Sequence, residues 1–141
     1  MNSLELDVYN ILKKTRINKI HKTEFGIYNI NFNYIDFILV TNNYYICIYT
    51  NHLYNNIENF ITEVNLLSMQ INTRCIGIYF NFFTMLPQQE KIFIDENNKY
   101  MNYFINISGT TNNKIINEFI TTLYYYGIYC YDNENNCIML C

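Results

Sequence analysis

The segment Tyr45-Ile46-Cys47-Ile48-Tyr49 is apolar at every position. A strand with one solvated face alternates polar and apolar side chains, whereas a strand covered on both faces reads as an unbroken apolar run. These five residues therefore predict a central strand with helices on both sides, which restricts the chain to α/β architecture. Arg74 to Phe83 is a second run of the same kind.

Helical spacing appears on either side of these runs. Leu4, Val8, Ile11 and Leu12 fall on one face of a helix expected over about 3–19, with Ser3 as its cap and Glu5 and Asp7 suited to its positive end. A second stripe, Leu53, Ile57, Phe60, Ile61, Val64 and Leu67, predicts a helix over 53–70. A third is expected over 112–126, with Ile116, Phe119, Ile120 and Leu123 inward and Gly127 as its stop. Strands are expected at Phe25–Asn31, Tyr34–Thr41 and Tyr44–Thr50. Asn42-Asn43 forms a tight turn between the last two, because Asn tolerates the positive φ of hairpin turns. Pro87 reads as a loop. Lys91–Asp95 and Tyr100–Ile107 read as strands joined by Glu96–Lys99, and Ile128–Tyr131 with Cys137–Leu140 as a closing hairpin. The expectation is one α/β domain over 1–141, a central mixed sheet flanked by helices, in the order α-β-β-β-α-β-(β-β)-α-β-β.

The 141 residues fit one core, and half of them are hydrophobic, with 15 Tyr and 10 Phe to fill it. The excess of Asn, Ile, Tyr, Lys and Phe follows A+T-rich codons and points to an A+T-rich genome, such as that of a large DNA virus, a selfish plasmid or certain protists. Net charge is −3, which argues against coating nucleic acid by bulk electrostatics. Even so, Lys13, Lys14, Arg16, Lys19 and Lys22 supply five of the nine cationic residues within one short stretch. That cluster can meet phosphates or an acidic protein surface, or simply complement a helix end.

Met1 to Asp7 lacks the basic start and apolar run of a signal peptide, and no apolar stretch reaches the ~18 residues of a membrane span. The expected location is cytoplasmic, or host cytoplasm or virion for a viral protein. Cys47, Cys75, Cys130, Cys137 and Cys141 contain no CxxC unit and are odd in number, so neither a disulfide framework nor a zinc site is expected. His21 and His52 have no local nucleophile partner, and the chain has no glycine-rich phosphate loop.

The opening α-βββ-α-β order, with Asp36 starting the run Asp36-Phe37-Ile38-Leu39-Val40, resembles the core of the PD-(D/E)XK, or restriction-endonuclease-like, superfamily over about residues 3–83. The resemblance implies that an acid opens the second core strand and that the next carries an acid, any residue, then Lys. Such a site holds Mg²⁺ through carboxylates and activates water with the Lys. Here Tyr49 stands in the place of the second acid and Asn51 in that of the Lys. A phenol with a pKa near ~10 is a poor Mg²⁺ ligand, and an amide does not replace an ammonium. Some members of the family recruit an acid from the following helix, where Glu58 and Glu63 lie, and Glu24 resembles an acid of the first helix in some relatives.

Two functional expectations follow from the resemblance. The first is a catalytically inactive nuclease-fold binding or structural module, a small subunit of a viral or plasmid nucleic-acid machine. It would have no cofactor, contact DNA or RNA through Lys13–Lys22, and belong to a larger assembly or a homo-oligomer. The second is a Mg²⁺-dependent nuclease using Asp36 and Glu63 with support from Glu24. A third, outside the resemblance, is a viral structural or host-interaction protein with no nucleic-acid role.

Overall fold

The computed structural model describes residues 3–17, 19–22, 30–50, 57–81 and 87–138. In chain order the elements are α1 Ser3–Lys13, β1 Lys19–Lys22, β2 Phe37–Val40, β3 Tyr45–Tyr49, α2 Ile57–Ile71, β4 Cys75–Asn81, α3 Pro87–Asn97, β5 Tyr103–Ser108 and α4 Asn112–Tyr125. The five strands lie side by side in the order β1-β2-β3-β4-β5. β1, β2 and β3 are successively antiparallel, and β4 and β5 then add in parallel. The α/β class and the mixed sheet are as the apolar runs require.

Side-chain alternation divides the core in two. Phe37, Leu39, Ile46, Ile48, Ile76 and Ile78 point to the face covered by Leu4, Val8 and Leu12 of α1 and Ile115, Phe119 and Leu123 of α4. Ile38, Cys47, Tyr49, Cys75 and Tyr79 point to the other face, beneath Phe60, Ile61, Val64 and Leu67 of α2, with Phe93 and Ile94 of α3 at its margin. β3 is buried on both sides for this reason. The result is three layers, helix, sheet, helix.

Several boundaries differ from the sequence reading. α1 ends at Lys13 rather than near 19, because the Thr15 hydroxyl donates to the Leu12 carbonyl at 2.7 Å and Thr15 then bridges to Cys130. The first strand is Lys19–Lys22, paired Lys19↔Val40 to Lys22↔Phe37. The strand expected at Phe25–Asn31 falls largely outside the described residues, as does the start of the helix expected from 53. The Asn42-Asn43 turn is present, with Val40 facing Tyr45 and the Thr41 N–H donating to the Tyr44 carbonyl at 3.0 Å, but neither Asn takes the positive φ expected of it.

Lys91–Asp95 is helix, not strand. Pro87 sits at the first position of α3, where its fixed φ and missing N–H cost nothing, and good helix formers follow. Phe93 and Ile94 reach the core while Ile92 stays half exposed, so three successive apolar residues need no strand to place them. α4 ends as its sequence requires. Gly127 takes φ +77°, and the Ile128 N–H closes back to the Leu123 carbonyl at 2.9 Å. Among the described residues the closing hairpin shows one bridge, Tyr131↔Cys137, held by Asp132 accepting from the Glu134 and Asn136 N–H groups at 2.9 Å each. Among the described residues no helix is long and apolar enough to cross a membrane.

Candidate functional site

Asp36 lies just ahead of β2, at the end of the sheet where β3 finishes. Its N–H continues the ladder to the Ile48 carbonyl at 2.7 Å. Its Oδ2 accepts from both the N–H and the hydroxyl of Thr50, each at 2.7 Å, and Thr50 is fully buried. The Glu5 side chain, from the first turn of α1, also hydrogen-bonds to Asp36. Burial pushes the Asp36 carboxyl above the usual carboxylate range, while the Thr50 and Glu5 hydrogen bonds pull against it.

Glu63 reaches the same region from the middle of α2. Its Oε1 accepts from the N–H groups of Asn33 at 3.1 Å and Tyr34 at 2.8 Å, and its Oε2 from Asn33 at 2.9 Å. The Ile35 N–H adds a further bond. Glu63 therefore ties down the turn that leads into β2. Its pKa is raised, first by burial and also by the charge of Asp36, and the backbone bonds oppose the rise. The two acids selected from sequence thus sit within electrostatic reach of each other, but their oxygens are occupied by the protein's own N–H and O–H groups.

Tyr49 is 4% exposed. Its ring stacks on Phe60 with centroids 5.7 Å apart and planes 21° apart, and it meets the edge of Tyr34 at 6.0 Å. It is a core residue. Glu58 is exposed on the first turn of α2. Glu24, Asn51 and His52, among them the supporting acid expected from the resemblance, lie outside the described residues. Among the described residues no group of three His, Cys, Asp or Glu side chains could hold a metal ion. Cys130 is buried and its thiol is pushed up to about 11, and the hydrogen bond that Cys47 donates to Cys75, with burial, pushes Cys47 up, so neither Cys130 nor Cys47 supplies a thiolate near neutral pH.

The shifts of Asp36 and Glu63 set a pH dependence. In an acid raised on folding, the native state holds its proton where the unfolded chain has lost it, so stability falls as pH rises through that interval. Asp36→Asn keeps an acceptor for the Thr50 N–H and abolishes this titration. Relative to wild type, the variant is expected to gain stability as pH is raised from about 4 to neutrality, measured as the difference in urea midpoint. A difference that shrinks over that range contradicts the assignment.

Lys13, Lys14, Arg16 and Lys19 of the basic cluster lie at the other end of β2 and β3, whereas Lys22, opposite Phe37, lies at the Asp36 end. Lys13, Lys14 and Arg16 are exposed at and beyond the end of α1. The Lys13 ammonium lies 4.9 Å from the centroid of the Tyr9 ring, and the Arg16 guanidinium lies 3.8 Å from that of Tyr131. Lys19 and Lys22 are on neighbouring β1. Arg16, the 40–44 turn and residues 126–129 with Tyr131 enclose an open groove of about 630 Å³. Tyr44 props it: its hydroxyl donates to the Tyr126 carbonyl and its ring meets Tyr126 edge-on at 5.9 Å. Tyr129 is 42% exposed and packs against Tyr124 at 5.2 Å.

No family model, curated protein or solved structure matches the chain. What the site does must be argued from its own chemistry.

Three features of the two sites were not found from sequence. Glu5 was assigned to the helix dipole, and nothing local signals its approach to Asp36. Thr50 is an ordinary strand-end residue by pattern. The groove unites three segments far apart in the chain, and of its lining the sequence points to a binding role for Arg16 alone.

Proposed function

We propose that this chain is a catalytically silent binding module on a nuclease-like α/β scaffold, a subunit of a nucleic-acid machine that contacts one strand of DNA or RNA at the Arg16 groove. The observation that carries the silent half of the reading is Tyr49, stacked on Phe60 in the core where the resembled family places its second acid. A buried phenol cannot hold Mg²⁺, and moving it out would open a cavity among Phe60 and Tyr79. The α-βββ-α-β order over 3–81 is consistent with kinship to that family.

The binding half rests on the composition of the groove. Arg16, over the Tyr131 ring, keeps guanidinium N–H groups for a phosphate, because a ring contact at the central carbon leaves the N–H edge open. Tyr129 offers a partly exposed ring for a base, and the exposed Asn42 and Asn43 carry both donor and acceptor for base edges. Lys13 and Lys14 extend the positive charge.

One observation favours the second reading, a Mg²⁺-dependent nuclease. Asp36 is hydrogen-bonded by Glu5 and raises the pKa of Glu63 by its charge, although like charges are costly together. A single assay separates the readings. Labelled single- and double-stranded DNA and RNA are incubated with the protein and Mg²⁺ or Mn²⁺, and binding is followed in parallel. The expected result is no cleavage by wild type, and single-strand binding that weakens about tenfold, or ~1.4 kcal/mol, in Arg16→Ala and falls with added salt. Metal-dependent cleavage abolished by Asp36→Ala overturns the silent reading. Binding of an acidic peptide in preference to every nucleic acid overturns the choice of partner.

A further inference from the structure

The parallel strands β3, β4 and β5 begin at one end of the sheet, with Tyr45, Cys75 and Tyr103. α4 starts beyond the opposite end, after Ser108, and its 14 residues carry the chain back over the sheet. At 1.5 Å per residue that is about 21 Å, enough to return to the strand starts. There the Tyr44 hydroxyl donates to the Tyr126 carbonyl, and the Arg16 groove opens at this same end.

Two further side chains of suitable chemistry stand at this end, outside the lining of the groove. Tyr103 is 63% exposed, and because Ile105 and Ile107 pack against the α1 and α4 face, alternation puts Tyr103 on that face too. Arg74 is exposed one residue ahead of β4. Ile76 packs on the α4 face, and alternation turns Arg74 the same way. Tyr126 links both to the groove. It lines the groove, and its phenol, raised first by burial, is raised further by the charge of the neighbouring Tyr103 and Tyr44.

The chemistry alternates along this line. The end of α4 presents the negative pole of its dipole, which disfavours a phosphate over Tyr126 and leaves that position to an uncharged base. Arg16 on one side and Arg74 on the other each favour a phosphate. Neighbouring strands lie ~4.8 Å apart, so the path from the 40–44 turn to Tyr103 is roughly 10–15 Å. A duplex hides the faces of its bases in its own stack and could not use Tyr103, whereas an unpaired strand can, whatever its bases.

We propose that the Arg16 groove continues past Tyr126 to a second set of contacts, Arg74 for a phosphate and Tyr103 for a base, so that the ligand is a single strand of several nucleotides and neither a lone nucleotide nor a duplex. This rests on the reading of the groove as a nucleic-acid site.

Fluorescence anisotropy of the full chain with a labelled dinucleotide, octanucleotide and hairpin duplex tests it. Wild type is expected to bind the octanucleotide at least about tenfold more tightly than the other two. Arg74→Ala is expected to weaken octanucleotide binding about tenfold and to make the slope of log K against log salt shallower by about 0.7, the share of one phosphate on a single strand. Tyr103→Ala is expected to lose a similar factor with the slope unchanged, and Tyr103→Phe to restore it, because the ring and not the hydroxyl carries the stack. Both residues are exposed, so the variants are expected to keep the wild-type circular dichroism spectrum. Octanucleotide binding that responds to Arg16→Ala but to neither Arg74→Ala nor Tyr103→Ala overturns the extension and leaves the groove. Equal affinity for the hairpin and the octanucleotide overturns the single-strand assignment. A wild-type protein that binds no nucleic acid overturns both the extension and the reading of the groove.

Discussion

Phe60→Ala is expected to lower the stability of the protein by about 3–5 kcal/mol, the range for deleting a large aromatic from a packed core. Phe60 is fully buried and stands at the centre of the α2 face, with Tyr49, Tyr79 and Phe104 all within 6.0 Å between ring centroids. Gly77 belongs to the same packing. A Cβ there would come within 2.8 Å of the Phe104 ring and 3.1 Å of Phe60, so the glycine gives both rings their room. Removing Phe60 leaves Tyr49 without the ring it stacks on and opens a void that its neighbours, fixed on β3 and β4, can only partly fill. A thermal melt should show the midpoint lowered by roughly 10–15 °C. Binding at the Arg16 groove, on the other end of the sheet, should be retained below the melt. A loss under about 1 kcal/mol would mean that the aromatic cluster is not the keystone of this face.

Glu63→Ala is expected to cost about 2–4 kcal/mol, for a different reason. The carboxylate accepts from Asn33, Tyr34 and Ile35, and its removal leaves those N–H groups facing an apolar layer with nothing to bond. Glu63→Gln retains one carbonyl oxygen but turns an NH₂ toward backbone donors, so an intermediate loss is expected. Urea denaturation of the two variants beside wild type measures both. The comparison also bears on function. If Glu63 is a structural tie, stability falls in the order wild type, Gln, Ala, and groove binding is unchanged in the folded protein. A variant that keeps full stability while losing metal-dependent cleavage would instead place Glu63 in a working nuclease site.

The parts of the fold legible in the sequence are those whose signal is local. Tyr45–Tyr49 announced a doubly covered strand, the Leu4–Leu12 stripe a helix, and Asn42-Asn43 a turn, because in each case neighbouring residues settle the backbone. α3 was misread because Ile92, Phe93 and Ile94 fit either period, and only packing against α2 decides between them. β1 was hidden because Lys-Ile-His-Lys resembles the tail of a basic helix, and it becomes a strand only by pairing with β2. The candidate site divides in the same way. Asp36 and Glu63 were picked out by analogy and do lie near each other, but their bonds to Thr50 and to the Asn33–Ile35 backbone depend on how α2 lies over the sheet. Tyr49 could be placed in the core from its apolar strand alone.

The first and last helices share one side of the sheet, joined where Asn112 Nδ2 donates to the Ser3 hydroxyl at 3.0 Å and where the Tyr131 N–H reaches the Lys14 carbonyl at 2.9 Å. During synthesis the other side can be assembled early, since α2 is the next helix made after β3. The side beneath α1 must wait for α4, which is made after every strand of the sheet. Until then Leu39, Ile46 and Ile78 have half a roof, and a nascent chain stalled before α4 presents a greasy surface to chaperones and to its neighbours on the polysome.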